Sequence, residues 1–154
     1  MIGILVIAHR PLASALLEAA GHVYSRDPRC NASQLRALDV EPDADVASLV
    51  ETARELVRQL DAGAGVLVLT DVFGATPGNV AAALAEPGKV AVVAGANLPM
   101  LLRTVCYCEA ALPVLVEKAI AGGAQGVMQV VPTPVQNQSQ RAQGNDLAHL
   151  HDQQ

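Results

Sequence analysis

The sequence predicts an open α/β sandwich, a mainly parallel sheet with helices on both faces. Three observations carry that prediction. Short apolar runs alternate with stretches of helical spacing four times in succession, as βα units with right-handed crossovers do. Hydrophobic residues make up 51% of the chain, yet its aromatics are one Phe, two Tyr and no Trp. The core must therefore come from Ala, Val, Leu and Ile, which suits helices on a parallel sheet better than an aromatic-rich barrel. At 154 residues the chain is long enough for one domain with a sizeable core.

The first strand is Ile2 to Ala8, an apolar run that ends at His9. Pro11 suits a first helical position, and Leu12, Ala15, Leu16, Ala19 and Ala20 keep helical spacing after it. Gln34 to Val40 reads as a weaker second strand with an alternating pattern. Val46, Leu49, Val50, Ala53, Leu56, Val57 and Leu60 then recur at three and four, with Asp45 placed to cap the helix. Gly63 and Gly65 close it, and Val66 to Thr70 is the third strand. The loop Asp71-Val72-Phe73-Gly74-Ala75-Thr76-Pro77 leads into an alanine-rich helix around Asn79 to Ala85. Pro87-Gly88 turns the chain into a fourth strand, Lys89 to Ala94, and Leu98-Pro99-Met100 opens another helix. Leu112 to Ala121 is a further helix with an apolar surface suited to an interface, and Gly126 to Val131 is read as a short fifth strand. The Gln- and Asn-rich stretch 132–154 has little to bury and reads as a flexible tail after a domain spanning 1–131.

Charge and cysteines narrow the function. Ten basic against fifteen acidic residues give a net charge of −5, which argues against a broad nucleic-acid face. No apolar run approaches the ~20 residues of a membrane span. MIGILVIAHR lacks a basic n-region and is read as the first strand of a cytoplasmic protein. Three cysteines fit a reduced compartment, and Cys106-Tyr107-Cys108 has the wrong spacing for a zinc or thioredoxin pair. It reads as two small apolar residues on a helix. His149 and His151 are too few to make a metal site.

Ligands of open α/β sheets sit outside the carboxyl ends of the strands. The polar residues that end strands one and three are His9 and Asp71. In a sheet of order 2-1-3-4 these strands are neighbours, and the two side chains can meet. A carboxylate on one imidazole nitrogen fixes the tautomer and leaves a lone pair on the other, an oriented nucleophile. The helix start after His9 favours anions, and Gly74, Ala75 and Thr76 supply amides and a hydroxyl for phosphate oxygens. The reaction class that fits is reversible phosphoryl transfer to histidine. Taken alone, His9 is more often structural, and the 71–77 loop is as readily a turn with Thr76 as an N-cap.

Three segments, GILVIAHRPLASALL, GVLVLTDVFGATPGNVA and VVAGANLPMLL, together resemble the mannose-family IIA component of the bacterial phosphoenolpyruvate-dependent phosphotransferase system. The likeness covers about residues 1 to 131. It implies a flavodoxin-like three-layer sandwich of order 2-1-3-4, with a short antiparallel edge strand exchanged in a homodimer. It implies a carrier phosphorylated on His9 by the phosphohistidine of HPr, with Asp71 orienting His9. Gly74, Ala75 and Thr76 then bind the phosphoryl group, with Arg10 a further candidate beside them, and Phe73, Asn97 and Pro99 lie on the crevice rim. The acceptor is a IIB component or a regulatory protein; a carrier serving dihydroxyacetone kinase is a nearby variant. No metal or organic cofactor is implied, because transfer is direct and in-line.

Four positions depart from the family pattern; one of them, Thr76, replaces the common serine and keeps its hydroxyl. Arg10 replaces a common glycine, so its charge either holds phosphate or points to solvent. Ala75 replaces the second glycine of the loop, where a positive φ would strain it. Gly78 stands where a bulky residue is frequent. The alternative from another class is a non-catalytic flavodoxin-like module that senses a phosphorylated small molecule in the same crevice.

Overall fold

The computed structural model describes residues 1–24 and 34–131. The elements run β1 (Gly3–His9), α1 (Leu12–Tyr24), β2 (Leu35–Val40), α2 (Val46–Leu60), β3 (Val66–Thr70), α3 (Thr76–Ala82), β4 (Val90–Ala94), α4 (Leu98–Cys106) and α5 (Leu112–Gln125). The four strands form one parallel sheet of order β2-β1-β3-β4. This is the predicted order.

Successive strand residues point to opposite faces, so one strand can feed two cores. On one face, Ile4, Val6 and Ala8 of β1 join Leu67, Leu69 and Val93 beneath α1, α4 and α5. On the other, Leu5 and Ile7 join Val66, Val68 and Val90 beneath α2 and α3. β1 lies between two strands and under helices on both sides, which is why its run is apolar without alternation. Each fully buried Leu, Ile or Val there stabilises the fold by roughly 1.5–3 kcal/mol relative to exposure. The weaker pattern of β2 follows from its place at the sheet edge, where only Val40 is fully buried.

Helix boundaries follow local chemistry. Asp45 caps α2 as predicted, its carboxylate accepting from Ser48 N at 2.8 Å. Pro11 sits one residue earlier than expected: its carbonyl accepts the amide of Ala15, which makes it the cap of α1. α3 begins at Thr76 and ends at Ala82, three residues before the predicted span at each end. Cys106 ends α4, whereas Cys108 lies buried in the turn beyond it, so the two do not share a helix. Among the described residues no helix is long and apolar enough to cross a membrane.

Two expectations near the carboxyl end are corrected. α5 runs on to Gln125, and residues 126–131 form no strand in this chain. An edge strand needs a paired edge, and none of the four strands pairs with this segment. Its Val127, Met128, Val130 and Val131 are 70–87% exposed. The apolar face of α5 is also mostly spent inside the fold: Leu112 and Leu115 are buried in the core and Val116 packs against it, leaving Val114 and Ile120 outside. The tail and its two histidines lie outside the described residues.

Candidate active site

The β1–β3 ladder ends at Ile7 and Thr70, whereas β1 continues against β2 as far as His9 opposite Val40. His9 therefore projects past the end of β3, and Asp71, the first residue after that strand, reaches across to it. One carboxylate oxygen, Asp71 Oδ2, accepts both the backbone amide of His9 at 3.0 Å and ring Nδ1 at 2.7 Å. The other, Oδ1, accepts the amide of Val72 at 2.9 Å. The amide bond anchors the carboxylate at the strand end, and the ring bond fixes the tautomer and orientation of the imidazole. With Nδ1–H donated to the carboxylate, the lone pair belongs to Nε2. His9 remains 51% exposed while Asp71 is 11% exposed, so the orienting group is enclosed and the reactive ring is open.

Burial pushes the Asp71 carboxyl up. The His9 amide, the His9 ring and the Val72 amide together outweigh it and hold Asp71 below the usual carboxylate range. Asp71 is therefore an acceptor across the physiological range, as the orienting role requires.

The loop that follows is shaped for close approach. Gly74 has φ +85°, a value that favours glycine, whereas Ala75 has φ −102° and ψ 172°. The strain anticipated at Ala75 does not arise, because the positive angle falls wholly on Gly74. Ala75 caps α3 and contributes no side-chain bond, so Thr76 is the first helical residue rather than the cap, and Pro77 follows at its second position. Gly78 packs against this loop so closely that a Cβ there would lie 2.7 Å from the carbonyl oxygen of Val72. The departure from a bulky residue is thus matched by the local packing. Phe73 stands 88% exposed on the same loop.

Other predicted residues are placed differently. The Arg10 guanidinium is ion-paired with Glu41 on the β2 side, its pKa raised by the Glu41 hydrogen bond and charge, with Asp39 adding to them. A bond from Ala96 N to Thr70 O at 2.9 Å holds the turn before Asn97 beside the end of β3. The Asn97 side chain itself is engaged in the fold. Its Oδ1 accepts from Met100 N at 2.9 Å, capping α4, and its Nδ2 donates to Gly123 O at 3.2 Å. Pro99 faces α5, where a Cβ on Gly126 would collide with the Pro99 ring.

Sequence reasoning missed Asp39, Ser14 and Glu41. Asp39 Oδ2 accepts from Ser14 Oγ at 2.6 Å and Oδ1 from Ser14 N at 3.1 Å, so a β2 carboxylate sits on the first turn of α1. That end of α1, expected to welcome a ligand anion, already has one anionic partner. The only sequence signal was two acidic residues around the end of strand two, which gain meaning once β2 and β1 are known to be neighbours. Among the described residues no group of three or more His, Cys, Asp or Glu is arranged to hold a metal.

Comparison with known proteins gives a consistent result. Residues 3–120 match the sequence profile of the family EIIA-man, described as the PTS system fructose IIA component. The chain is 29% identical over 110 residues to the fructose-specific EIIA component of Bacillus subtilis, covering 71% of this chain and 72% of that one. It is 34% identical over 102 residues to the sorbose-specific EIIA component of Lacticaseibacillus casei, covering 64% and 68%. The mannose-specific EIIAB component of Escherichia coli is 30% identical over 102 residues, but the match covers only 32% of that longer protein. Among solved structures, a PTS IIA protein associated with the fucose utilization operon of Streptococcus pneumoniae superposes with a TM-score of 0.70 at 25% identity, over 82% of this chain and 91% of that one. The mannose/sorbose-specific IIA subunit from Enterococcus faecalis shares the fold with a TM-score of 0.73 at 19% identity, over 86% and 96%.

Proposed function

The chain belongs to the mannose-family IIA components of the sugar phosphotransferase system, and on that premise we propose that it is a phosphohistidine carrier with His9 as the residue that bears the phosphoryl group. The observation that carries this reading is the pair of hydrogen bonds from His9 to one oxygen of Asp71. The phosphoryl donor is the phosphohistidine of HPr. Its N–P bond breaks, the donor ring keeps the electron pair, and the Nε2 lone pair of His9 forms the new N–P bond. Nδ1–H keeps donating to the Asp71 carboxylate throughout, so the positive charge that develops on the ring faces a carboxylate. The amides around Gly74 to Thr76 and the Thr76 hydroxyl receive phosphoryl oxygens, and the exposed Phe73 meets the partner protein.

The relatives are named for fructose, mannose and sorbose at similar levels of identity. That pattern suits a carrier that passes phosphate on without touching the sugar, to a IIB component or a regulatory protein. We place this activity in a domain of residues 1–131 acting in the cytoplasm as a homodimer, with 132–154 as a tail. The open apolar segment after α5 supports a second copy as the partner that covers it.

The test is incubation with phosphoenolpyruvate, enzyme I and HPr, followed by intact mass. The expected result is one acid-labile phosphate on the wild type and none on His9→Ala. An unlabelled wild type rejects the carrier role, and a labelled His9→Ala rejects the site.

A further inference from the structure

Arg10 and His9 are adjacent in sequence but turn to opposite neighbours. The His9 ring bonds to Asp71 at the end of β3. The Arg10 amide continues the ladder to Val40 O at 3.1 Å, and its guanidinium is held by Glu41, the residue that follows β2. The strands of this sheet end in His9-Arg10, Val40-Glu41, Thr70-Asp71 and Ala94-Gly95, so Arg10 is the one arginine or lysine among these strand ends.

We propose that Glu41 is a latch that parks Arg10 away from His9, and that Arg10 leaves Glu41 for the phosphoryl oxygens once His9 is phosphorylated. The inference rests on the carrier reading of His9. Its physical basis is a competition between two anions for one guanidinium. The Arg10–Glu41 pair is exposed, with both side chains about half open to solvent, and exposed pairs of this kind are weak. The phosphoryl oxygens carry close to two negative charges and match the guanidinium fork in a bidentate pair. Arg10 is the residue next to His9 and its long side chain is exposed, so the exchange takes place by rotation of that side chain. Glu41 then acts as a positioning residue: it sets how much of the phosphoryl state Arg10 is free to stabilise.

The test is the equilibrium of phosphate between HPr and this protein, read by intact mass, in wild type, Arg10→Ala, Glu41→Gln and the double variant. Arg10→Ala should shift the equilibrium toward phospho-HPr by about tenfold, the scale of one charge-assisted hydrogen bond. Glu41→Gln should shift it toward this protein by about threefold, the scale of an exposed ion pair. The double variant should match Arg10→Ala, because Glu41 acts only through Arg10. A Glu41→Gln shift that persists without Arg10 would mean direct repulsion of the phosphoryl group and overturn the latch. An Arg10→Ala equilibrium equal to wild type would also overturn it, while failure of the wild type to take label removes the carrier reading itself.

Discussion

Replacing Asp71 by Asn keeps the shape of the acceptor and removes its charge, so it isolates what the carboxylate does for His9. The amide can present its NH2 group to Nδ1 and so favours the wrong tautomer. Phosphorylation of Asp71→Asn by phospho-HPr should slow by about 10- to 100-fold, the range over which partners that orient a histidine act. Rapid-quench kinetics read the rate, and circular dichroism should show an unchanged fold. The same contact has a pH signature. The Asp71 pKa is lowered in the folded state, so the unfolded chain binds more protons between the two values. The stability it contributes is present above the ordinary carboxylate pKa of about 3.9 and is lost as pH falls through the lower folded value. Denaturant titrations should show that acid-side slope flatten in Asp71→Asn; an unchanged slope would remove Asp71 as its source.

At the scale of elements, the caps and close approaches decide which residues belong to the site. The family resemblance is what implies a rim role for Asn97. Its amide caps α4 and ties α5, and neither bond is visible before α5 is folded against α4. Asn97→Ala should therefore cost about 0.5–2 kcal/mol of stability, as lost caps do, with little change in the rate of His9 labelling. Slower labelling with unchanged stability would instead support the rim role. Gly78→Ala tests the loop in the same way. Its new Cβ would press on the Val72 carbonyl, and overpacking of this kind costs roughly 1–3 kcal/mol while displacing the loop beside Asp71. Thermal unfolding temperature and labelling rate should both fall. These contacts were not legible in the sequence because they depend on how the chain folds back on itself. The strands and α2 were, because apolar runs and an Asp45 cap are local signals.

For the whole molecule, strand order carries the largest part of the reading. The four βα units are legible in the chain, but only the family resemblance supplies the order that makes His9 and Asp71 neighbours. Once β2-β1-β3-β4 is in place, Glu41 and Asp39 also come to bear on the first strand's end, which no spacing along the chain would reveal. The expected edge strand meets a limit of another kind. None of the four strands of the chain pairs with residues 126–131, which stay apolar and open. A chain ending at Gly126 should sediment as a monomer, and a chain ending at Val131 as a dimer. A dimer from the shorter chain would place the interface elsewhere.

The most direct test of the central claim is which nitrogen of His9 carries the phosphate. Protein labelled with 15N at histidine, phosphorylated through HPr and observed by NMR, should show coupling of phosphorus to Nε2 of His9, with Nδ1 still bearing its proton toward Asp71. Phosphorus coupled to Nδ1, or to another histidine, would contradict the role of the His9–Asp71 pair.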